Sequence, residues 1–264
     1  MPYVELPTGR FFYRYDGLPD APQLVLSNSL GTDHTMWERQ MPALTPSFRV
    51  LRYDSRGHGA SAAPKGPYTI EELGQDVLDL YDALGISRAS FCGLSMGGMV
   101  GMWLAANAPE RVERLALCNT AARLGPPRMW DARIEAVRAR GMSAIAQAVL
   151  ARWFTPSFLS ADSLDVAAIR QMLANTSAEG YIASCEAIRD MDQREILAHI
   201  TAPSLVITGA HDVATPPADG RFLANSIPGA QYLELEAAHL SNIEAASAFN
   251  DAIVRFLTGG GSHE

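Results

Sequence analysis

Cysteine is scarce in this 264-residue chain, with only Cys92, Cys118 and Cys185. The count is odd and the spacing matches no metal-ligand pattern, which excludes a disulfide framework and a structural zinc site. Two of the three fall in apolar runs and read as reduced, buried thiols. No apolar run approaches the roughly 20 residues that span a bilayer. The start, Met1-Pro2-Tyr3-Val4-Glu5-Leu6, lacks a basic segment followed by an apolar stretch, so a cytoplasmic protein without a membrane partner is expected. Blocks of like charge are missing too. Lys and Arg number 21 against 29 Asp and Glu, a net charge of −8 with the signs mixed along the chain, which argues against nucleic acid as a partner. There is no repeat, heptad pattern or charged tail to support a scaffolding role, and no motif for a metal or an organic cofactor.

What the chain does have is an apolar content of 48% in a length that suits one α/β domain carrying an insertion. Residues 3–15 read as two strands joined near Pro7-Thr8-Gly9, residues 24–27 as a third, and residues 49–53 as another ending at Asp54. From Thr69 to Leu84 apolar residues recur at Ile70, Leu73, Val77, Leu80, Tyr81 and Leu84, a helical spacing closed by Gly85. Helix and strand then alternate up to Cys118, the pattern of a mostly parallel sheet covered on both faces.

Between about Ala121 and Gln193 the strands stop and helices follow one another. One runs through Ile134 and Val137 to Gly141; a second is capped by Ser143 and carries Ile145, Val149 and Phe154; two more lie around residues 166–173 and 179–188. Alternation resumes at Ser204, and residues 245–257 form a closing helix. The expected organisation is a core of residues 1–120 and 196–258, a helical cap over 121–195 lying across the sheet edge, and a flexible tail at 259–264.

Chemistry is concentrated in Gly93-Leu94-Ser95-Met96-Gly97, between the apolar run Ala89-Ser90-Phe91-Cys92 and a helix-like stretch from Met96. This is the strand-turn-helix setting of a nucleophile elbow. Glycines at 93, 97 and 98 let the backbone turn sharply enough to hold the Ser95 hydroxyl in the open. A serine needs a base, and the base needs an orienting group. Asp212 follows the apolar run 204–208 and Gly209, at a strand end where ligand-binding groups of parallel sheets gather. Its alternative is an Asp that merely stabilises a turn. His239 follows the alternating run 231–235. The order serine, acid, histidine is that of the α/β-hydrolase fold. At the other position where an acid sometimes stands, after residues 115–118, this chain has Asn119. His58 reads as a structural loop residue and His211 as a turn residue, while His34, His199 and His263 lack the setting or the order.

Acyl transfer also needs donors for the developing oxyanion. One is the N–H of Met96, and the other is expected from the loop after the third strand, at Leu30. Many hydrolases of this fold carry His-Gly where this chain has Asn28-Ser29, so Ser29 brings a hydroxyl to the substrate.

Four stretches carry a closer resemblance: 26–32 with Met36-Trp37, 53–61, 93–98 and 212–217. On these the chain resembles the capped α/β-hydrolases, and among them the 3-oxoadipate enol-lactonases of aromatic-compound breakdown. The resemblance implies an eight-stranded, mostly parallel sheet, no cofactor and a small anionic lactone as substrate. The substrate's carboxylate arm needs a cation, for which Arg133, beside Trp130, is the candidate. The alternatives are a solvated Arg133 and a Trp130 that only packs the cap. A general esterase, a perhydrolase and a carbon–carbon bond hydrolase share the same triad, and a non-catalytic small-molecule receptor shares the fold. Ser95 stands where a haloalkane dehalogenase needs a carboxylate.

Overall fold

The computed structural model describes residues 3–161 and 163–260, and in it the chain opens with the antiparallel pair β1 (Tyr3–Leu6) and β2 (Gly9–Asp16). β3 (Gln23–Ser27), the short helix α1 (Met41–Leu44), β4 (Arg49–Tyr53) and α2 (Ile70–Ala83) follow, then β5 (Ala89–Leu94), α3 (Met96–Asn107) and β6 (Val112–Cys118). The eight strands, completed by β7 (Ser204–Gly209) and β8 (Gln231–Leu235), lie in the order β1-β2-β4-β3-β5-β6-β7-β8. From β4 onward all neighbours run parallel. Every residue of β5 and β7 is buried, as strands covered by helices on both faces must be.

Local signals act where they were expected. Thr69 caps α2 in a capping box with Glu72, each satisfying a backbone N–H of the other. α3 is apolar nearly all round and correspondingly buried between β3, β5, β6 and α2.

Between β6 and β7 stand α4 (Pro127–Arg140), α5 (Ser143–Trp153), α6 (Pro156–Ser160), α7 (Leu164–Asn175) and α8 (Ala178–Asp190). Two details differ from the sequence reading. Ser143 does not cap α5: Gly141, at φ +73°, ends α4, and Met142 already has helical angles, so Ser143 is the first helical residue and its hydroxyl bonds no N–H there. A capping residue needs an extended backbone. The extra helix α6 begins where Thr155 supplies that extended backbone and accepts from the Phe158 N–H, which leaves Phe154 just outside α5.

The helical segment meets the sheet-bearing part backbone to backbone. A Cβ built on Gly180 of α8 would lie 2.3 Å from the Gly57 Cα and 2.4 Å from its carbonyl oxygen. α9 (Pro217–Ser226), α10 (Ser241–Glu244) and α11 (Ala246–Leu257) complete the chain. Of the expected tail, Gly259 donates to Phe256 O and Gly260 to Arg255 O; residues 261–264 lie outside the described residues. No described helix is long and apolar enough to cross a membrane.

Candidate active site

Ser95 stands between β5 and α3 with φ 56° and ψ −114°, a conformation that costs about 1–3 kcal/mol for a residue with a Cβ. Its surroundings impose it. The Ser95 N–H donates to Cys118 O at 2.9 Å, and its carbonyl accepts from Thr120 Oγ1 at 2.7 Å. Close approach explains the flanking glycines: a Cβ on Gly93 would lie 2.1 Å from Gly97 O, and one on Gly97 2.1 Å from Ser27 O. The hydroxyl faces a cavity rather than the core.

Asp212, just beyond β7, and His239, just beyond β8, meet directly, with Nδ1 2.8 Å from Asp212 Oδ2. Both are buried. Burial of the Asp212 carboxyl works to raise its pKa. The opposing charge and hydrogen bond of His239, with donors on Asn119 and Thr215, outweigh it and hold the group at about 2. Oδ1 accepts the N–H groups of Ala214 and Thr215, while Oδ2 accepts Thr215 Oγ1 and Asn119 Nδ2 in addition to the imidazole. Asn119 is thus a supporting donor to the carboxylate, itself held by Ser241 Oγ at 2.5 Å.

The loop is pinned on both sides of His239. The Ala238 N–H donates to Glu244 Oε2, which also accepts from the Thr155 N–H, and the Leu240 N–H donates to Trp153 O. The Trp153 ring stacks over the imidazole at a centroid distance of 6.5 Å. Nδ1 is engaged by Asp212 and Thr215, so Nε2 is the nitrogen available on the cavity that His239 shares with Ser95.

Asn28 explains the 26–32 stretch. Its Nδ2 donates to Tyr53 O at 2.7 Å, its Oδ1 accepts Trp37 Nε1 at 2.9 Å, and its carbonyl accepts the Gly97 N–H at 3.0 Å. One side chain and its carbonyl therefore join the ends of β3 and β4 to the start of α3. Ser29 and Leu30 follow on the cavity wall, and the Ser29 hydroxyl has no hydrogen-bond partner among the described residues. Met96 is the first residue of α3, a position whose N–H has no partner within its helix.

The cavity has a volume of about 530 Å³, within the range usual for small-molecule sites. Ser29, Leu30, Ser95 and His239 form its floor; Trp130 and Arg133 of α4 line it, and the Arg133 guanidinium lies 4.9 Å from the Trp130 ring centre. Of the candidate site residues, Ser29, Leu30, Ser95, Trp130, Arg133 and His239 therefore line the cavity, while Asp212 meets His239 and Met96 follows Ser95 at the start of α3. Sequence reasoning missed Arg152, Trp153 and Asp219, which also line it. The only signal for the first two is their place at the end of an amphipathic helix.

Three other histidines lie outside the cavity lining. His58 is buried with Nδ1 on Arg56 O, and burial lowers its pKa. His211 is exposed and meets Glu236. Asp33, His34 and Asp54 bring potential metal-ligand atoms within 4.8 Å of one another, but chain donors already occupy the carboxylates.

Comparison with known proteins agrees with this geometry. The alpha/beta hydrolase fold family matches residues 22–246. Two Acinetobacter baylyi proteins, 3-oxoadipate enol-lactonase 2 and 3-oxoadipate enol-lactonase 1, are 46% and 43% identical over 91% and 89% of this chain, covering 90% and 88% of their own lengths. The crystal structure of the enol-lactonase from Burkholderia xenovorans LB400 superposes with a TM-score of 0.96 at 54% identity, over 97% of this chain and all of that one. The chain belongs to the alpha/beta hydrolase fold family, and its likeness to these enol-lactonases runs along almost its whole length.

Proposed function

We propose that the protein is a serine hydrolase that opens 3-oxoadipate enol-lactone with water to give 3-oxoadipate. The observation that carries the reading is the convergence of Ser95 and the Asp212-backed His239 on one cavity that also presents guanidinium groups. The likeness to named enol-lactonases supplies the substrate class. Residues 121–195 act as the cap that shapes this cavity.

In the first step His239 Nε2 takes the Ser95 proton as Oγ bonds to the lactone carbonyl carbon, and the N–H groups of Leu30 and Met96 receive the oxyanion. Asp212 holds the imidazole through Nδ1. Collapse breaks the ring C–O bond as His239 returns the proton to the leaving enolate oxygen, leaving a neutral imidazole and an enol tethered to the acyl chain. Tautomerisation of the enol to the ketone, in which carbon gains a proton and the enol oxygen loses its own, removes this internal nucleophile. Water, giving its proton to His239, then cleaves the acyl-enzyme and restores Ser95. Arg133, with Trp130 at its side, holds the carboxylate arm, and the Ser29 hydroxyl contributes to substrate binding.

The test is turnover of the enol-lactone beside a neutral aryl ester, with acyl-enzyme trapped for mass spectrometry. Ser95→Ala is expected to lose the adduct and at least about 10⁴-fold in kcat. A Ser95→Ala enzyme that still carries acyl mass, or a wild-type enzyme that leaves the lactone untouched, would overturn the assignment.

A further inference from the structure

Two guanidinium groups of the helical segment share the cavity of Ser95 without an anionic partner among the described residues. Other arginines of the segment and its borders are neutralised: Arg138 by Glu135, Arg189 by Asp131 and Asp190, and Arg123 and Arg194 by Asp192. Arg128, Arg140 and Arg170 project into solvent, where water screens them. Arg133 of α4 and Arg152 of α5 are partly buried, line the cavity, and form no ion pair among the described residues. Arg152 has only a 3.2 Å hydrogen bond to Val213 O, next to the acid of the triad. Burial lowers its pKa, and the nearby positive charge of Arg133 lowers it further. Two like charges facing one partly dry space are unfavourable alone and become favourable when a carboxylate is placed between them.

The walls around this pair include the apolar side chains of Leu124, Met129, Val149, Ile188 and Val213; of the hydroxyls on the cavity, that of Thr215 is engaged by Asp212 and that of Ser29 belongs to the loop that carries Leu30. Asp219 brings a carboxyl to the cavity, and it forms no ion pair with either arginine. Recognition therefore rests on an acyl carbonyl at Ser95 and a free carboxylate at the arginines.

We infer that Arg152 and Arg133 together form a carboxylate clamp, so that the enzyme also hydrolyses open-chain half-esters of short dicarboxylic acids in preference to the corresponding neutral diesters. The inference rests on the serine hydrolase reading but not on the lactone being the substrate. The chemistry balances without a further reagent. Ser95 Oγ bonds to the ester carbonyl carbon as His239 takes its proton; the C–O bond to the alcohol breaks as His239 returns that proton to the leaving alkoxide. Water then frees the dicarboxylate and regenerates Ser95.

The experiment compares monomethyl adipate with dimethyl adipate by methanol release, with the enol-lactone assayed in parallel. The wild-type enzyme is expected to favour the half-ester by about tenfold or more in kcat/KM, the magnitude of a charge-assisted pairing. Arg152→Gln is expected to erase most of that preference through KM, and Arg152→Lys to keep part of it. Equal or better turnover of the diester by the wild-type enzyme overturns the clamp, as does an Arg152→Gln variant that loses both substrates alike. Lactone turnover without half-ester preference would reject the clamp alone. Half-ester preference without lactone turnover would reject the lactone assignment and leave the clamp standing.

Discussion

Asp212 shows how much one side chain concentrates in this protein. It is buried, yet it keeps its charge because it accepts five hydrogen bonds, from Ala214, Thr215 (backbone and side chain), Asn119 and His239. Its folded-state pKa of about 2 lies below the ordinary 3.8, so the associated stability is present above pH 4 and is lost as the pH falls toward 2. A depression of this size corresponds to on the order of 2 kcal/mol. Denaturant unfolding of the wild-type protein is expected to lose about that much more between pH 5 and pH 2 than Asp212→Asn does. Parallel pH dependences in the two proteins would show that the carboxylate is not held in this way. At this scale Ser95, Asp212 and His239 were legible because each follows a recognisable strand. The supporting donors Asn119 and Thr215 and the clamp residue Arg152 were not, since a hydroxyl, an amide or an arginine carries no local mark of the partner it will meet.

At the scale of elements, the junction between α8 and the loop after β4 decides how the helical segment sits. That loop is itself anchored from below, with Arg56 Nε and Nη2 on Asp76 of α2 at 2.5 and 2.6 Å, both side chains buried. Gly180→Ala sets two effects against each other. Alanine is favoured over glycine inside a helix by about 1 kcal/mol. The new methyl, however, meets the Gly57 backbone, which cannot swing aside as a flexible side chain would. Overpacking costs about 1–3 kcal/mol, and here the backbone contact places it at the upper end. The variant is expected to melt about 3–8 °C lower and to show a raised KM, measured by calorimetry and kinetics. An unchanged or higher Tm would mean that α8 is free to move away. The alternation of β1 to β6 and the capped start of α2 were readable because sheet-face burial and N-capping are local. α6 and the uncapped start of α5 were not: they depend on the angles the chain takes after Gly141 and Phe154.

Across the whole molecule, the three thiols report on which part opens first. Cys92 and Cys118 lie on adjacent central strands, their sulfurs 3.9 Å apart, while Cys185 is buried in α8. Burial pushes the Cys185 thiol up to about 12 with Arg133 opposing, so it reacts only when exposed. The helical segment is joined to the sheet-bearing part by side chains, glycine contacts and isolated backbone hydrogen bonds such as Leu240 N–H to Trp153 O, whereas β5 and β6 are held by ladders on both sides. Local opening of such a segment requires less free energy than global unfolding. Under native conditions a thiol reagent is expected to modify Cys185 before Cys92 and Cys118, as read by peptide mass spectrometry, with Gly180→Ala accelerating Cys185 alone. Simultaneous labelling of all three would show that the segment opens only with the sheet.

The order of strands and helices, the sharp turn at Ser95 and the succession of serine, acid and histidine were determined by the sequence itself, because each follows from sterics and burial within a dozen or so neighbouring residues. Tertiary structure alone decided which helix faces look onto the cavity. Arg128, Arg133, Arg140 and Arg152 are the same residue type on neighbouring helices, and only the placement of α4 and α5 over the strand ends turns two of them inward. The physical reason is that a side chain's charge is encoded at its position, while the loss of water around it is set by residues distant in the chain, such as Ser29 and Leu30 for Arg133 and Val213 for Arg152.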